Sequence, residues 1–502
     1  MTLPADSQEH VPLTTPSELD APRRSLASAA VYSLGFTVQR AIGLLMLPLY
    51  TRALAPAEYG DLGVLLSVSV ALGLLLSAGL EPWIVRNYVQ LADEPERRRQ
   101  EMDSVWRFLV FFPLLTSFVL AAIAWPLFGD SRPVGAVEVS LTVVAAAVNV
   151  AGTAYPLAVL RARHDRRGFL LLTGITALLT PALTVLLVVV LDQGIRGWFL
   201  ASLVSGIVVL AAAMALLPWQ FRGRLRWPIV RTALIFSLPL IPHFLSHWAL
   251  QLADRGIIAG MVSGPDLGRY TLAGILAGSV MMVLIALNQG FQPSYARAGA
   301  TYDQHDALKH VVVVQATAVV TITLAGVLLG PPLLELLAPA AYHGAESLVP
   351  WLVLGFGFLG LYFIPMNGAA LAVGRTRHAW VATAASAAVN IALLYLLVPH
   401  HGVKAAAIAS AIGYLTLLVL VAAWAHARPN PVRYDWRRLL PLIVFAGIAY
   451  TCAQVTAPDS LSGEIAVYVV WLLAFAGAVT AVVFRSAVGK IAQRARLAWR
   501  AG

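Results

Sequence analysis

Long apolar stretches separated by short polar gaps fill this chain of 502 residues almost from end to end. Each stretch is about twenty residues long, the length of helix that crosses a bilayer core about 30 Å thick. Hydrophobic residues make up 59% of the chain and charged residues 12%, whereas soluble domains carry about 25% charged residues. The pattern therefore predicts an all-α polytopic membrane protein with 14 transmembrane helices. The predicted spans are 26–50, 62–85, 106–128, 137–160, 168–191, 196–218, 232–259, 269–294, 310–337, 348–372, 378–398, 402–425, 437–457 and 463–484.

Basic residues are concentrated in alternate gaps between the spans. Of the 35 Lys and Arg residues, 28 lie in the N-terminal arm, in every second gap and in the C-terminal tail, and only 5 lie in the opposite gaps. Loops rich in Lys and Arg stay in the cytoplasm, so both termini are predicted to be cytoplasmic. The positive charges behind the net charge of +10 are then spread along one membrane face. This distribution indicates attraction to anionic lipids and not to nucleic acid.

Several kinds of chemistry are disfavoured by what the sequence lacks. No G-x-x-x-x-G-K-[ST] phosphate loop occurs, and no His, Cys, Asp or Glu group has the spacing of a zinc site. No gap between spans is long enough for a separate domain. We therefore expect a protein that is not an enzyme and that has no cofactor or metal. The single cysteine, Cys452, is interpreted as a packing residue.

One short motif occurs twice, in the gap before span two and again in the gap before span eight. An acid, a glycine two residues later and a proline beyond the next apolar stretch appear as Glu58, Gly60 and Pro82, and recur with Gly268 and Pro293. Parallel repeats of this kind build transporters whose substrate lies between the two halves. The predicted organisation is a disordered arm 1–24, two six-helix bundles 25–220 and 221–427, two extra helices 428–484, and a basic tail 485–502.

The sequence around the first copy of this motif carries a family resemblance. The run 25–60, with Arg40 and Tyr59-Gly60, continues to Arg86 and Tyr88, and the segments 254–258 and 267–270 follow in the second half. These segments resemble the O-antigen (Wzx-type) polysaccharide flippases of the multidrug/oligosaccharidyl-lipid/polysaccharide (MOP) exporter superfamily. The resemblance implies a V-shaped pair of bundles, as in multidrug MATE exporters. It also implies movement of a polyprenyl-pyrophosphate-linked oligosaccharide to the outer leaflet by alternating access.

Arg40 lies near the middle of the first predicted span. A charged side chain at the bilayer centre costs roughly 2.5–3.5 kcal/mol on insertion scales, so such residues usually face a bundle interior or a watery cavity. A guanidinium can bind phosphate oxygens through two hydrogen bonds. We interpret Arg40 as a cavity cation for the substrate pyrophosphate; an ion pair that joins helices is the alternative.

The seventh span carries the densest polar stripe. At 100° per residue, four of its polar residues fall within an arc of about 80° and are predicted to line the cavity; they are His243, His247, Gln251 and Asp254. Arg255 is placed at the border of that face, about 100° from Asp254, so the two charged groups are not expected to pair. Histidines that only join helices, or an Asp254 that lies near the outer interface, are the alternatives.

Two further features complete the candidate site. Pro239 and Pro242 predict a bend near the cytoplasmic end of span seven. Asn288 and Gln292 in span eight lie one helical turn apart and could bind sugar hydroxyls, although helix-to-helix hydrogen bonding is favoured.

The expected function is thus a flippase for polysaccharide, O-antigen or capsule precursors. Its expected partners are the lipid-linked oligosaccharide, membrane lipids, polysaccharide polymerases and glycosyltransferases. Three alternatives remain open: a flippase for the peptidoglycan precursor lipid II, a cation-coupled multidrug exporter, and a membrane scaffold without transport.

Overall fold

The computed structural model describes residues 41–129, 134–217, 224–300, 305–372, 379–426 and 434–483. Throughout these ranges the regular secondary structure is helical, as the sequence predicts. Short π-helical or 3₁₀ turns follow several helices. The α-helices are α1 (Leu47–Ala53), α2 (Pro56–Leu76), α3 (Glu81–Gln90), α4 (Pro95–Phe128), α5 (Ala136–Ala162), α6 (Arg166–Thr184), α7 (Gly194–Leu216), α8 (Trp227–Ser237), α9 (Ile241–Gln251), α10 (Ala253–Ile258), α11 (Gly264–Ala300), α12 (His305–Leu337), α13 (Val349–Asn367), α14 (Ala379–His426), α15 (Trp436–Thr456) and α16 (Leu461–Val482).

The described part of the chain contains 12 helical stretches that are long and apolar enough to cross a membrane. One of them, α14, is 48 residues long and is interrupted at Gly402, whose φ of 65° and ψ of −160° are not helical. The predicted spans 378–398 and 402–425 meet at this interruption, so α14 matches two crossings. Most of the first predicted span lies outside the described residues, and the total of fourteen therefore stays a prediction.

Acidic residues in the first turn begin two helices of the N-terminal half. The backbone N–H of Ala55 donates to Glu58 Oε2 at 3.0 Å, and the N–H of Gly135 donates to Glu138 Oε2 at 2.9 Å. A carboxylate at this position satisfies an N–H group that the helix itself leaves free. These caps fix the starts of α2 and α5 at the end that the sequence predicts to be outside.

Contacts between loops and helix ends agree with the alternating topology. Each of four long-range hydrogen-bonded pairs joins residues that the sequence places on the same side of the membrane. The pairs are Leu54 with Tyr342 and Glu138 with Arg196 on the predicted outer side, and Gln100 with Arg226 and Glu81 with Arg161 on the predicted inner side.

The hydrophobic cores give the molecule its V shape. At the predicted outer end one core includes residues of both halves, such as Leu62 of α2 and Leu267 of α11. Toward the other end the cores are separate. One contains N-terminal residues such as Trp106, and the other contains C-terminal residues such as Tyr295. The halves are therefore packed together at one end of the membrane and are separate at the other.

Glycines allow α2 and α11 to approach closely where the halves meet. A Cβ atom placed on Gly60 would lie 2.9 Å from the backbone nitrogen of Gly268, and one on Gly268 would overlap the carbonyl oxygen of Pro56. A Cβ on Gly63 would overlap the side chain of Thr271. Small residues at such crossings let helix backbones pack together within lipid. We call the contact of Pro56, Gly60 and Gly63 with Gly268 and Thr271 the glycine seam.

Span seven connects the two halves. Its first segment, α8, adds Val230 and Ala233 to the core of the N-terminal half. Leu250 of α9 lies in a core with C-terminal residues such as Tyr414. The chain therefore passes from one half to the other within this span, while the predicted domain ranges themselves stay predictions. The last two helices, α15 and α16, pack as an addition to the C-terminal half.

Candidate functional site in span seven

Span seven consists of three helical segments instead of one. A 3₁₀ turn at Leu238–Leu240 separates α8 from α9, at the position where Pro239 and Pro242 predict a bend. A second break lies at Leu252, where φ is −137° and ψ is −19°. Since proline removes a backbone donor and clashes with the preceding turn, the first break follows directly from the sequence. The second break has no proline.

His243, His247 and Gln251 share one face of α9, as their spacing predicts. The centroids of the two imidazole rings are 5.5 Å apart, in an edge-to-face arrangement. Gln251 Nε2 lies 3.4 Å from His247 Nδ1. All three side chains are half-buried. These residues therefore form a short row of polar groups along the segment that links the two halves.

Asp254 and Arg255 form a buried ion pair, and the expectation that they would not pair is wrong. Arg255 Nη1 donates to Asp254 Oδ1 at 2.9 Å; Arg255 is only 9% exposed and Asp254 only 4%. The expectation considered only the direction in which each side chain leaves the helix and not the length of the arginine side chain. Both residues lie in α10, after the break at Leu252. There the Arg255 side chain folds back, so that Nη1 reaches Asp254 Oδ1 and also the Gln251 carbonyl oxygen at 3.1 Å.

Two hydroxyl groups from other spans surround the pair. The Tyr270 hydroxyl, on α11, donates to Asp254 Oδ2 and lies 3.2 Å from the Ser410 hydroxyl of α14. The Arg255 guanidinium carbon lies 5.7 Å from the centroid of the Tyr270 ring. Sequence reasoning did not select Tyr270 or Ser410. Tyr270 ends the segment 267–270 that carries the family resemblance, which was a usable signal, whereas nothing in the sequence distinguishes Ser410.

A residue of the N-terminal half binds span seven at its second break. Ser67 Oγ of α2 donates to the Leu252 carbonyl oxygen at 2.6 Å. In return, the Trp248 indole N–H donates to the Ser67 carbonyl oxygen at 3.0 Å. The break is therefore held by reciprocal hydrogen bonds between the two halves, a short distance along α2 from the glycine seam.

Asn288 belongs to a separate group of amides in the C-terminal half. Its Oδ1 accepts from Gln315 Nε2 at 3.2 Å and from Asn367 Nδ2 at 2.7 Å. Tyr295 donates to Gln315 at 2.7 Å. These bonds join α11, α12 and α13, which supports the interpretation of Asn288 as a helix-joining residue. Gln292 is exposed one turn away.

Arg40, the predicted anion-binding residue, lies outside the described residues. The remaining predicted residues divide into the span-seven group and the pair Asn288 and Gln292. The span-seven group combines hydrogen-bond donors and acceptors with a neutralised ion pair. The half-buried His243, His247 and Gln251 suit the binding and passage of a polar ligand, whereas the ion pair beside them is buried.

The helical fold, with its long apolar helices and a polar span at the junction of its halves, is that of a polytopic membrane protein. Residues 49–345 match a family described as polysaccharide biosynthesis protein. The match covers more than half of the chain, and the protein belongs to this family. A comparison with curated protein sequences finds no match.

Solved structures of transporters share the fold. The lipid II flippase MurJ in an inward closed conformation superposes with a TM-score of 0.71 at 11% sequence identity, over 91% of this chain and 100% of that chain. An inward-facing multidrug-resistance MATE transporter of the MOP superfamily gives 0.59 at 16% identity, over 78% and 94%. The MATE multidrug transporter DinF-BH gives 0.60 at 15% identity, over 85% and 99%. The predicted MATE- and MOP-like fold is thus confirmed.

Proposed function

We propose that this protein is a flippase that moves a polyprenyl-pyrophosphate-linked oligosaccharide from the inner to the outer leaflet of a bacterial cytoplasmic membrane. Membership of a polysaccharide biosynthesis family supports the substrate class. The V-shaped fold, with its halves joined at one end, supports alternating access. Polysaccharide polymerases and glycosyltransferases would act on the same lipid-linked substrate and are the expected partners.

The observation that carries the proposal is the position of the interrupted, polar span seven. His243, His247 and Gln251 follow one another along the segment that crosses from the N-terminal to the C-terminal core. A rocking motion of the halves would change the surroundings of this segment more than those of helices within one half. The polar row is thus suited to bind sugar hydroxyls in one state and release them in the other, with Arg40 holding the pyrophosphate.

Lipid II is the alternative substrate, and one observation favours it. The lipid II flippase gives a TM-score of 0.71, above the 0.59 of the MATE transporter. Both glycolipids carry a polyprenyl pyrophosphate and differ in the sugar part. A richer set of cavity arginines in spans one, two and eight would favour lipid II, and the sequence offers Arg40 alone of that kind.

The decisive experiment compares the substrates in proteoliposomes. Purified protein is reconstituted with a fluorescent polyprenyl-pyrophosphate oligosaccharide, with lipid II, or with a cationic dye, and the movement of each is measured. We expect the oligosaccharide to move fastest. Faster movement of lipid II would establish the alternative substrate, uptake of the dye alone would indicate a drug exporter, and no movement of any of them would contradict transport.

A further inference from the structure

The second break in span seven exchanges a backbone hydrogen bond for a side-chain one. In an uninterrupted helix the Arg255 N–H would donate to the Gln251 carbonyl oxygen four residues earlier. Here the Arg255 N–H donates to Asp254 Oδ1 at 2.8 Å, and the Gln251 carbonyl oxygen accepts from Arg255 Nη1 at 3.1 Å. The guanidinium therefore occupies the place that the break leaves open.

The groups around that guanidinium are oxygen ligands of the kind that hold small cations. They are the carbonyl oxygen of Gln251, the carboxylate of Asp254 and, next to it, the hydroxyl of Tyr270. In discontinuous transporter helices, freed carbonyl oxygens of this type coordinate Na⁺ or H⁺. A carboxylate supplies the negative charge that such a site needs.

We infer that the guanidinium of Arg255 is a permanently bound cation at the break in span seven. It occupies the position at which an exchangeable Na⁺ would otherwise bind. Its charge neutralises Asp254 permanently, so the protein has no need of a sodium gradient at this position. Removing the guanidinium should uncover a latent sodium site made of Gln251, Asp254 and Tyr270. The inference goes beyond the proposed flippase activity and holds for any substrate, because it concerns only this group of residues.

The space around Arg255 is shaped for the guanidinium. A Cβ atom on Gly274, in α11, would lie 2.5 Å from Arg255 Nη2. One helical turn later, a Cβ on Gly278 would have no neighbour within 4 Å among the described residues. Gly274→Ala should therefore displace the guanidinium without removing its charge, and Gly278→Ala provides a matched control on the same helix.

The test measures the thermal unfolding midpoint of purified full-length protein in detergent, without substrate, while NaCl replaces choline chloride at constant ionic strength. The wild type should show no saturable response to Na⁺. Arg255→Ala should show a saturable rise of at least about 2 °C, because a ligand that binds only the folded state raises stability. The double variant Asp254→Asn/Arg255→Ala should lose that rise. A rise in the double variant equal to that in Arg255→Ala would overturn the assignment of the site.

Two further measurements test the inference without the Arg255→Ala variant, and so apply even if that variant does not fold. Gly274→Ala should lower the unfolding midpoint more than Gly278→Ala does, and equal midpoints would overturn the inference. Saturable binding of ²²Na⁺ to the wild type, lost in Asp254→Asn, would also overturn it, since an exchangeable cation would then share the site. A folded Arg255→Ala that ignores Na⁺ would overturn it as well. None of these readouts depends on glycolipid transport, so failure of the proposed function would be recognised separately.

Discussion

Gly60 and Gly268 face each other across the two halves, so closely that a Cβ atom on Gly60 would lie 2.9 Å from the Gly268 nitrogen. Each glycine comes from one copy of the repeated motif. The two copies thus pack against each other and close one end of the molecule. Opening that end, as alternating access requires, must separate these two residues.

Gly268→Ala should disrupt this closure. Its methyl group would overlap the carbonyl oxygen of Pro56, which is backbone and cannot rotate away. Overpacking of this kind costs about 1–3 kcal/mol, so we expect the variant to favour the open form of the seam and to transport poorly. Cross-linking Ala57→Cys to Gly264→Cys in a Cys452→Ser background measures closure, and the cross-link should form less readily with Gly268→Ala.

The matched control for that variant is Gly290→Ala. Gly290 lies on the same helix, and its Cβ would have no neighbour within 4 Å in the described ranges. Normal cross-linking and transport are expected of it. Cross-linking of Gly268→Ala at the rate of this control would show that the seam does not govern closure.

The positive-inside pattern predicts the membrane topology. Reporter fusions at residues 100 and 225 should report a cytoplasmic position, and fusions near Pro133 and Pro458 an external one. The hydrogen bond from Arg226 to Gln100, 2.9 Å long, requires the first two sites to share one side. A reporter that finds either of them outside the cell would refute the topology.

Arg40→Ala should abolish export of the glycolipid while the protein level stays near normal, because it removes the proposed pyrophosphate ligand. Single cysteines at positions 40, 243 and 247, in a Cys452→Ser background, should react with a water-soluble reagent in at least one state. Export by Arg40→Ala at the wild-type rate, or protection of all three positions in every state, would contradict a shared water-filled cavity.

Two buried asparagines should respond differently to replacement by alanine. Asn288→Ala removes two interhelical hydrogen bonds, each worth about 1 kcal/mol or less within a membrane bundle, and should lower the unfolding midpoint. Neither amide atom of Asn390 has a hydrogen-bond partner among the described residues, so Asn390→Ala should change stability and transport little. Equal losses in the two variants would show that the amide group of Asn288 does not join the helices.

The membrane potential should drive transport. When a negative charge moves outward from an inside-negative cell, its free energy falls by about 2.3 kcal/mol per 100 mV of membrane potential. A pyrophosphate carries more than one such charge. Flipping in proteoliposomes should therefore increase with an imposed potassium diffusion potential. The alternative is proton antiport through Asp254 or the two histidines. Flipping that follows a pH gradient instead, and loses that response in Asp254→Asn, would establish it.

The sequence alone determined which parts of the chain form apolar helices long enough to cross a membrane. Thirteen of the predicted spans coincide with described helices, the two within Ala379–His426 meeting at Gly402. Transfer of an apolar helix into lipid depends on its own residues and little on its neighbours. For the same reason an irregularity near Pro239 was predictable, since proline acts on its own turn of helix, and a 3₁₀ turn lies there.

Only the tertiary structure decided how these helices meet. The hydrogen bond from Ser67 to the break at Leu252 and the contacts of Tyr270 with Asp254 and Ser410 depend on how separate spans pack together. Within lipid, helices associate through complementary shape and hydrogen bonds and not through hydrophobicity. The pattern of apolar residues therefore does not predict which helix faces are in contact. The sequence could identify polar residues within the membrane, but only packing could assign their partners.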